Sequence, residues 1–101
     1  MYSLSFLPNN SKITNVINNK LQSIILNAKK NNKRIVISSY SKKLLNEKAN
    51  IILAQTRAEN VKQKFKASGI LADRIEIYAF IEDKPMINNS TNNALEIIIS
   101  D

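Results

Sequence analysis

The spacing of apolar residues switches along this chain between a helical period and an alternating one. Two stretches repeat apolar residues at the spacing of one helix face. The first predicts a helix with Ser11 as its N-cap that ends near Lys30, and the second predicts a helix from about Ala49 to Ser68. Their predicted core positions are Ile13, Val16, Ile17, Leu21, Ile24, Ile25 and Ala28 in the first helix, and Ile51, Ala54, Ala58, Val61 and Phe65 in the second.

Four other stretches have the composition of β-strands. Tyr2 to Phe6 is a short strand, and Arg34 to Tyr40 is apolar almost throughout, which predicts a central strand buried on both faces. Asp73 to Phe80 alternates, and Leu95 to Ile99 has one apolar face. The order β-α-β-α-β-β predicts an α/β two-layer sandwich in which two helices pack on one face of a four-stranded mixed sheet.

The single glycine of the chain marks the end of the second helix. Gly69 follows the predicted second helix, at the position where helices commonly end with a residue in the left-handed backbone conformation. Ile70 can supply the apolar contact of a Schellman motif. With one glycine and two prolines in 101 residues, most of the chain is expected in regular elements of a single domain covering residues 1–101.

The composition excludes most catalytic chemistry. Without cysteine or histidine, the chain lacks disulfides, thiolate nucleophiles, imidazole acid–base catalysis and an ordinary zinc site. One glycine cannot build a phosphate-binding loop. Glu82 and Asp83 are adjacent in a predicted loop, where they are surface turn residues. We therefore predict a protein that is not an enzyme and has no metal or cofactor.

The charge of +7 is concentrated in the first half of the chain, because residues 1–50 hold nine lysines and arginines and one acidic residue, Glu47. A solvated lysine-rich surface explains this, but a basic half also suits a small nucleic-acid-binding domain. That alternative is weakened by the scarcity of stacking aromatic residues on the strands beyond Tyr78 and Phe80.

Nothing in the sequence has the length of a membrane span, and the first residues lack the pattern of a signal peptide. The abrupt start on a strand-like run fits a domain excised from a longer envelope protein, with its export signal or anchor outside this chain.

The second helix carries one feature that suits ligand binding. Asn50, Leu53 and Arg57 follow one line along its flank, at i, i+3 and i+7. A guanidinium beside an amide offers a planar set of donors that matches a carboxylate. An arginine at such a position more often faces solvent or forms an ion pair, so this feature alone is a weak indication.

The same helix carries a longer pattern. Asn50, Leu53, Arg57, Ala58, Val61, Phe65, Gly69 and Ile70 resemble the signature N-x-x-L-S-x-x-R-A-x-x-V-x-x-x-L-x-x-x-G-I of the OmpA-like peptidoglycan-binding domains. Shorter matches fall in the same order along the chain. They are Phe6 with Ser11, the strand end Ser39-Tyr40-Ser41-Lys42, Glu82 with Pro85, and Asn92 to Ile97.

This resemblance implies a fold and a ligand. OmpA-like domains share the β-α-β-α-β-β order and bind peptidoglycan without covalent chemistry, through the carboxylate and amine of a diaminopimelate residue in its stem peptide. In the family, the central contacts are the arginine of the second helix and the aspartate that ends the second strand. Carried over, the site would comprise the following residues: Tyr40, Ser41, Lys42, Asn50, Leu53 and Arg57.

The sequence departs from the family pattern within this site. Lys42 stands in place of the aspartate, so a cation replaces the anion that would pair with the ligand's ammonium. Asn93 and Ala94 replace a closing arginine pair, and the loop before them is shorter. Losing one charge-assisted contact costs about 1.5–3 kcal/mol, which predicts at least a tenfold weaker affinity for this ligand.

The functional expectation is a periplasmic, non-catalytic domain of a Gram-negative bacterium that anchors or positions an outer-membrane or periplasmic assembly. Its partner is either peptidoglycan, bound weakly, or another envelope protein in an assembly such as a secretion system. The sequence leaves the choice between these partners open.

Overall fold

The computed structural model describes residues 2–7, 9–31, 33–41, 47–81 and 94–100. It confirms the predicted order of elements and the two-layer α/β fold. In chain order the elements are β1 (Tyr2–Ser5), α1 (Asn15–Asn31), β2 (Arg34–Ser41), α2 (Glu47–Ala67), a 3₁₀ turn (Ala72–Arg74), β3 (Ile75–Ile81) and β4 (Ala94–Ser100).

The four strands form one mixed sheet in the order β1-β4-β2-β3. β2 and β3 are parallel, and α2 forms the crossover that a parallel pair requires. β4 lies antiparallel to both β1 and β2, and its Ile97 pairs with Tyr2 on one side and with Ile37 on the other. β4 and β2 are therefore the inner strands of the sheet, and β1 and β3 are its edges.

One face of the sheet and both helices enclose the core. Along β2, alternate residues from Ile35 to Ser41 are buried, and the remaining ones are half-buried or exposed. The prediction that β2 is buried on both faces was therefore wrong, because the two helices cover only one side of the sheet. The core cluster combines Leu4, Phe6, Ile17, Leu21, Ile24, Ile25, Ala28, Ile35, Ile37, Ala58, Val61, Phe65, Ile70, Ile75, Leu95 and Ile97.

Helix α1 begins later than its sequence predicts. The predicted cap, Ser11, lies outside the helix, and the Thr14 hydroxyl instead accepts a hydrogen bond from the Ile17 amide at 3.3 Å. The backbone carbonyl of Ser11 is bonded to α2 through Asn60, which holds the chain in a non-helical path before Thr14. The side chain of Val16, predicted to face the core, is 69% exposed, because at 100° per residue it lies about 120° around the helix from the buried stripe of Ile17 and Leu21.

The end of α2 confirms the predicted Schellman stop. Gly69 has a φ of 98°, the left-handed region that glycine adopts without steric cost. The Ile70 amide donates to the Phe65 carbonyl at 3.2 Å and the Gly69 amide donates to the Lys66 carbonyl at 3.0 Å. The buried Ile70 side chain then directs the chain into the turn before β3.

The other face of the sheet carries polar and aromatic side chains. Tyr40 stacks on Phe80, its partner in register on β3, with ring centroids 5.1 Å apart. Nearby, Arg34 pairs with Glu76 at 2.8 Å, and the Tyr78 hydroxyl donates to the same carboxylate at 2.9 Å. This hydrogen bond raises the pKa of the Tyr78 phenol, and the charge of Glu76 raises it further, while Arg34 opposes the rise.

We expect Phe65→Ala to lower the free energy of unfolding by about 3–5 kcal/mol, because Phe65 is fully buried between α2 and the sheet. Urea denaturation followed by circular dichroism measures this loss. Leu71→Ala is the control, since Leu71 is 66% exposed and its truncation should change stability by less than about 0.5 kcal/mol. Equal losses in the two variants would contradict this packing.

We expect Glu76→Gln to lower the pKa of Tyr78, because a neutral amide replaces the charged carboxylate that accepts a hydrogen bond from its hydroxyl. Since the folded pKa is raised, this contact stabilises the fold below the unfolded pKa of about 10, and the stabilisation is lost as the pH rises through the folded value. NMR titration of ¹³C-labelled tyrosine rings measures the shift. Glu59→Gln, on the exposed side of α2, is the control and should leave this titration unchanged.

Candidate functional site

The three residues that the sequence aligns on α2 differ in depth. Asn50 in the first turn and Leu53 one turn later are half-buried, whereas Arg57 has no exposed surface. Arg57 is the largest fully buried side chain of the described residues. The structure thus places the guanidinium much deeper than the flank position predicted by helical spacing.

Arg57 binds the segment that connects β1 to α1. Its Nε donates to the carbonyl of Asn10 at 2.8 Å, and its Nη2 donates to the carbonyl of Leu7 at 3.1 Å. Its guanidinium carbon lies 5.1 Å from the centre of the Phe6 ring, within cation–π distance. One side chain of α2 therefore contacts this segment at Phe6, Leu7 and Asn10.

The positive charge of Arg57 is accommodated by dipoles and by an aromatic face. Burial lowers the pKa of its guanidinium, because desolvation disfavours the charged form. The ordinary pKa of arginine is so high that the group remains charged at neutral pH. The carbonyl oxygens and the ring of Phe6 supply the partial negative charge that a buried cation needs.

A second side chain of α2 supports the same loop. Asn60, one turn after Arg57, donates from Nδ2 to the carbonyl of Ser11 at 2.9 Å. Asn9, between the two carbonyls that Arg57 binds, has a φ of 55°, a left-handed conformation that asparagine tolerates. Together, Arg57 and Asn60 bind Leu7, Asn10 and Ser11, which belong to the segment 7–11 that we call the β1–α1 loop. The sequence patterns did not single out Asn60, although its i, i+3 spacing from Arg57 places both on one side of the helix.

The residues predicted at the end of β2 lie on opposite faces of the sheet. Ser41 is buried on the face that the helices cover, whereas Tyr40 lies on the other face, against Phe80. Adjacent residues of a strand alternate in this way, so Tyr40 does not share a face with Arg57. Lys42, Glu82, Pro85, Asn92 and Asn93 lie outside the described residues.

The buried side-chain atoms that have no hydrogen-bond partner among the described residues include Nδ2 of Asn50 and Oγ of Ser39. Ser39 lies two residues before Ser41 on β2 and therefore on the same face of the sheet. An amide nitrogen at the start of α2 can donate to a carboxylate.

No group of histidine, cysteine or acidic residues in the described part of the chain could hold a metal ion. Neither of its two helices has the length and apolar character that crossing a membrane requires.

Comparison with known proteins identifies one family. The sequence model of the OmpA family matches residues 5–97, which include both helices and the β1–α1 loop. None of the curated proteins matches this chain. The match to a family of structural envelope domains confirms the prediction of a non-catalytic protein.

Several solved structures share the fold. The peptidoglycan-associated lipoprotein from Burkholderia pseudomallei superposes with a TM-score of 0.83 at 18% identity, covering 97% of this chain and 89% of that one. The C-terminal domain of Helicobacter pylori MotB gives 0.83 at 17% identity, covering 100% and 85%. The cell wall anchor of the T6SS from Pseudomonas aeruginosa gives 0.75 at 14% identity, covering 98% and 80%.

We expect Arg57→Ala to lower the free energy of unfolding by about 2–4 kcal/mol, because two carbonyls of the β1–α1 loop lose their buried donors. Urea denaturation measures the effect. Arg34→Ala is the matched control, since Arg34 is 58% exposed and its ion pair with Glu76 contributes about 0–1 kcal/mol. A loss no greater than that of the control would show that Arg57 does not hold the loop.

Proposed function

The chain belongs to the OmpA family, and on this premise we propose that it anchors or positions a cell-envelope protein by weak, non-covalent contact with peptidoglycan. The observation that carries the proposal is the family match, which spans residues 5–97 and includes the Asn50-Leu53-Arg57 line of α2. The solved structures that share the fold include a peptidoglycan-associated lipoprotein and a cell wall anchor. Another of them is described as a periplasmic domain, which supports the periplasm of a Gram-negative bacterium as the compartment.

The proposed site would recognise the carboxylate and the ammonium at the end of an amino acid side chain. A diaminopimelate side chain presents a carboxylate beside an ammonium. The Nδ2 of Asn50, which has no hydrogen-bond partner among the described residues, would donate to the carboxylate, and the buried charge of Arg57 would add a positive potential. Leu53, half-buried between them in sequence, would contact the aliphatic part of the ligand.

Lys42 makes this site weaker than the family pattern predicts. A lysine where the ammonium of the ligand should meet a carboxylate removes an attraction and adds repulsion. At least one charge-assisted hydrogen bond is then lost, worth about 1.5–3 kcal/mol, or roughly a factor of ten or more in affinity.

A second candidate function is docking to another envelope protein, with peptidoglycan binding lost. The arrangement of Arg57 favours it, because two of its nitrogens donate to the β1–α1 loop and not toward solvent. An arginine used in this way stabilises the loop whether or not a ligand is present.

We expect Lys42→Asp to increase binding to purified diaminopimelate-type sacculi by about tenfold or more, because it restores the anion for the ligand's ammonium. Co-sedimentation with sacculi at increasing concentration measures the affinity. Lys43→Asp is the matched control, since it makes the same change of charge at the adjacent residue. Free diaminopimelate should compete with the bound Lys42→Asp variant.

Two results would contradict peptidoglycan binding. The first is a wild-type protein that does not sediment with sacculi together with a Lys42→Asp variant that also fails to sediment. The second is an equal gain from Lys42→Asp and Lys43→Asp, which would indicate general charge effects. Either result would favour the protein-docking function.

A further inference from the structure

We propose that the groove between β1 and α1 binds an extended acidic peptide segment, which adds a strand to the outer edge of β1. The groove has a volume of about 390 Å³ and is lined by Tyr2 and Ser3 of β1 and by Lys20, Ser23 and Ile24 of α1. This volume lies within the range of pockets that enclose small ligands or a few side chains.

The strand side of the groove is a sheet edge. β1 is the terminal strand of the sheet and, within the described part of the chain, pairs only with β4. Half of the backbone donors and acceptors of such a strand point away from the sheet and can pair with another extended chain. The sequence of β1, Tyr-Ser-Leu-Ser, contains none of the lysines or prolines that commonly block an edge.

The helix side of the groove supplies apolar contact and a fixed shape. Ile24 is buried at its base, and the Tyr2 hydroxyl accepts a hydrogen bond from Asn27 of α1 at 2.7 Å. This bond ties the first residue of β1 to the helix and fixes the distance between the two walls of the groove there. An added strand would place alternate side chains toward α1, as in other cases of β-strand addition.

The charge of the groove determines the kind of peptide. Lys20 is exposed at the groove, and the only other charged residues of α1 are Lys29 and Lys30. Neither β1 nor α1 contains an acidic residue that could neutralise Lys20. A glutamate or aspartate of the bound segment would therefore pair with Lys20, whereas a lysine would be repelled.

This groove is separate from the candidate peptidoglycan site. It lies at the start of β1, whereas Arg57 contacts residues after the end of that strand. Loss of one activity would leave the other intact, so the two proposals can fail independently.

The test uses a pair of acetylated and amidated peptides, Thr-Val-Glu-Val-Thr and Thr-Val-Lys-Val-Thr, titrated into ¹⁵N-labelled protein and followed by NMR. We expect amide shifts confined to β1 and to the part of α1 from Lys20 to Ile24, with tighter binding of the glutamate peptide. Lys20→Glu should weaken the glutamate peptide by about fivefold and reverse the preference. Lys29→Glu, the same charge change outside the groove, should leave the preference unchanged.

Three outcomes would overturn the proposal. They are amide shifts that lie outside β1 and α1, no binding of either peptide at millimolar concentration, and a Lys20→Glu variant with the wild-type preference.

Phosphatidylglycerol vesicles form a separate arm of the experiment. Binding of these vesicles that requires Lys20, without peptide binding, would assign the groove to a lipid phosphate instead. Lys20 is exposed, so a circular dichroism spectrum like that of wild type is expected for the variant.

Discussion

The contact between Arg57 of α2 and the carbonyls of Leu7 and Asn10 is the interaction on which the arrangement of this domain depends. It joins the middle of a helix in one layer to the loop that leaves the first strand of the other. Phe6 packs beneath the same guanidinium, and Asn60 extends the contact to Ser11. The start of α1 is consequently set by α2, because the chain cannot become helical until it has passed these attachments.

This use of Arg57 constrains its role in binding. A buried cation that satisfies two carbonyls loses much stability if it moves, so it can act on a ligand mainly through its charge and by fixing the loop. Direct contacts would then come from less buried neighbours such as Asn50. In the proposed binding mode, Lys42 in place of the family's aspartate would likewise weaken the binding of a zwitterionic ligand.

The regular elements were predictable because each carries its own signal. The apolar spacing in α2 and the glycine at its end are local patterns, and both were confirmed. The strand predicted from Asp73 to Phe80 forms from Ile75 to Ile81, because Asp73 and Arg74 belong to a 3₁₀ turn. The start of α1 was predicted wrongly, since Ser11 and Thr14 are both good caps and a contact from α2 decides between them. The residues of the candidate site were predicted from the sequence, but their arrangement was not. Tyr40 and Ser41 lie on opposite faces of the sheet, so the two side chains cannot contact the same ligand from one face.

The sequence by itself determined the order of strands and helices, the core face of α2 and the helix stop at Gly69. These features depend on residues within one or two turns of each other. Only the tertiary structure decided the depth of Arg57, since its two carbonyl partners lie 47 and 50 residues away along the chain. The direction of a long polar side chain depends on which distant backbone groups come within its reach, and local spacing does not specify them.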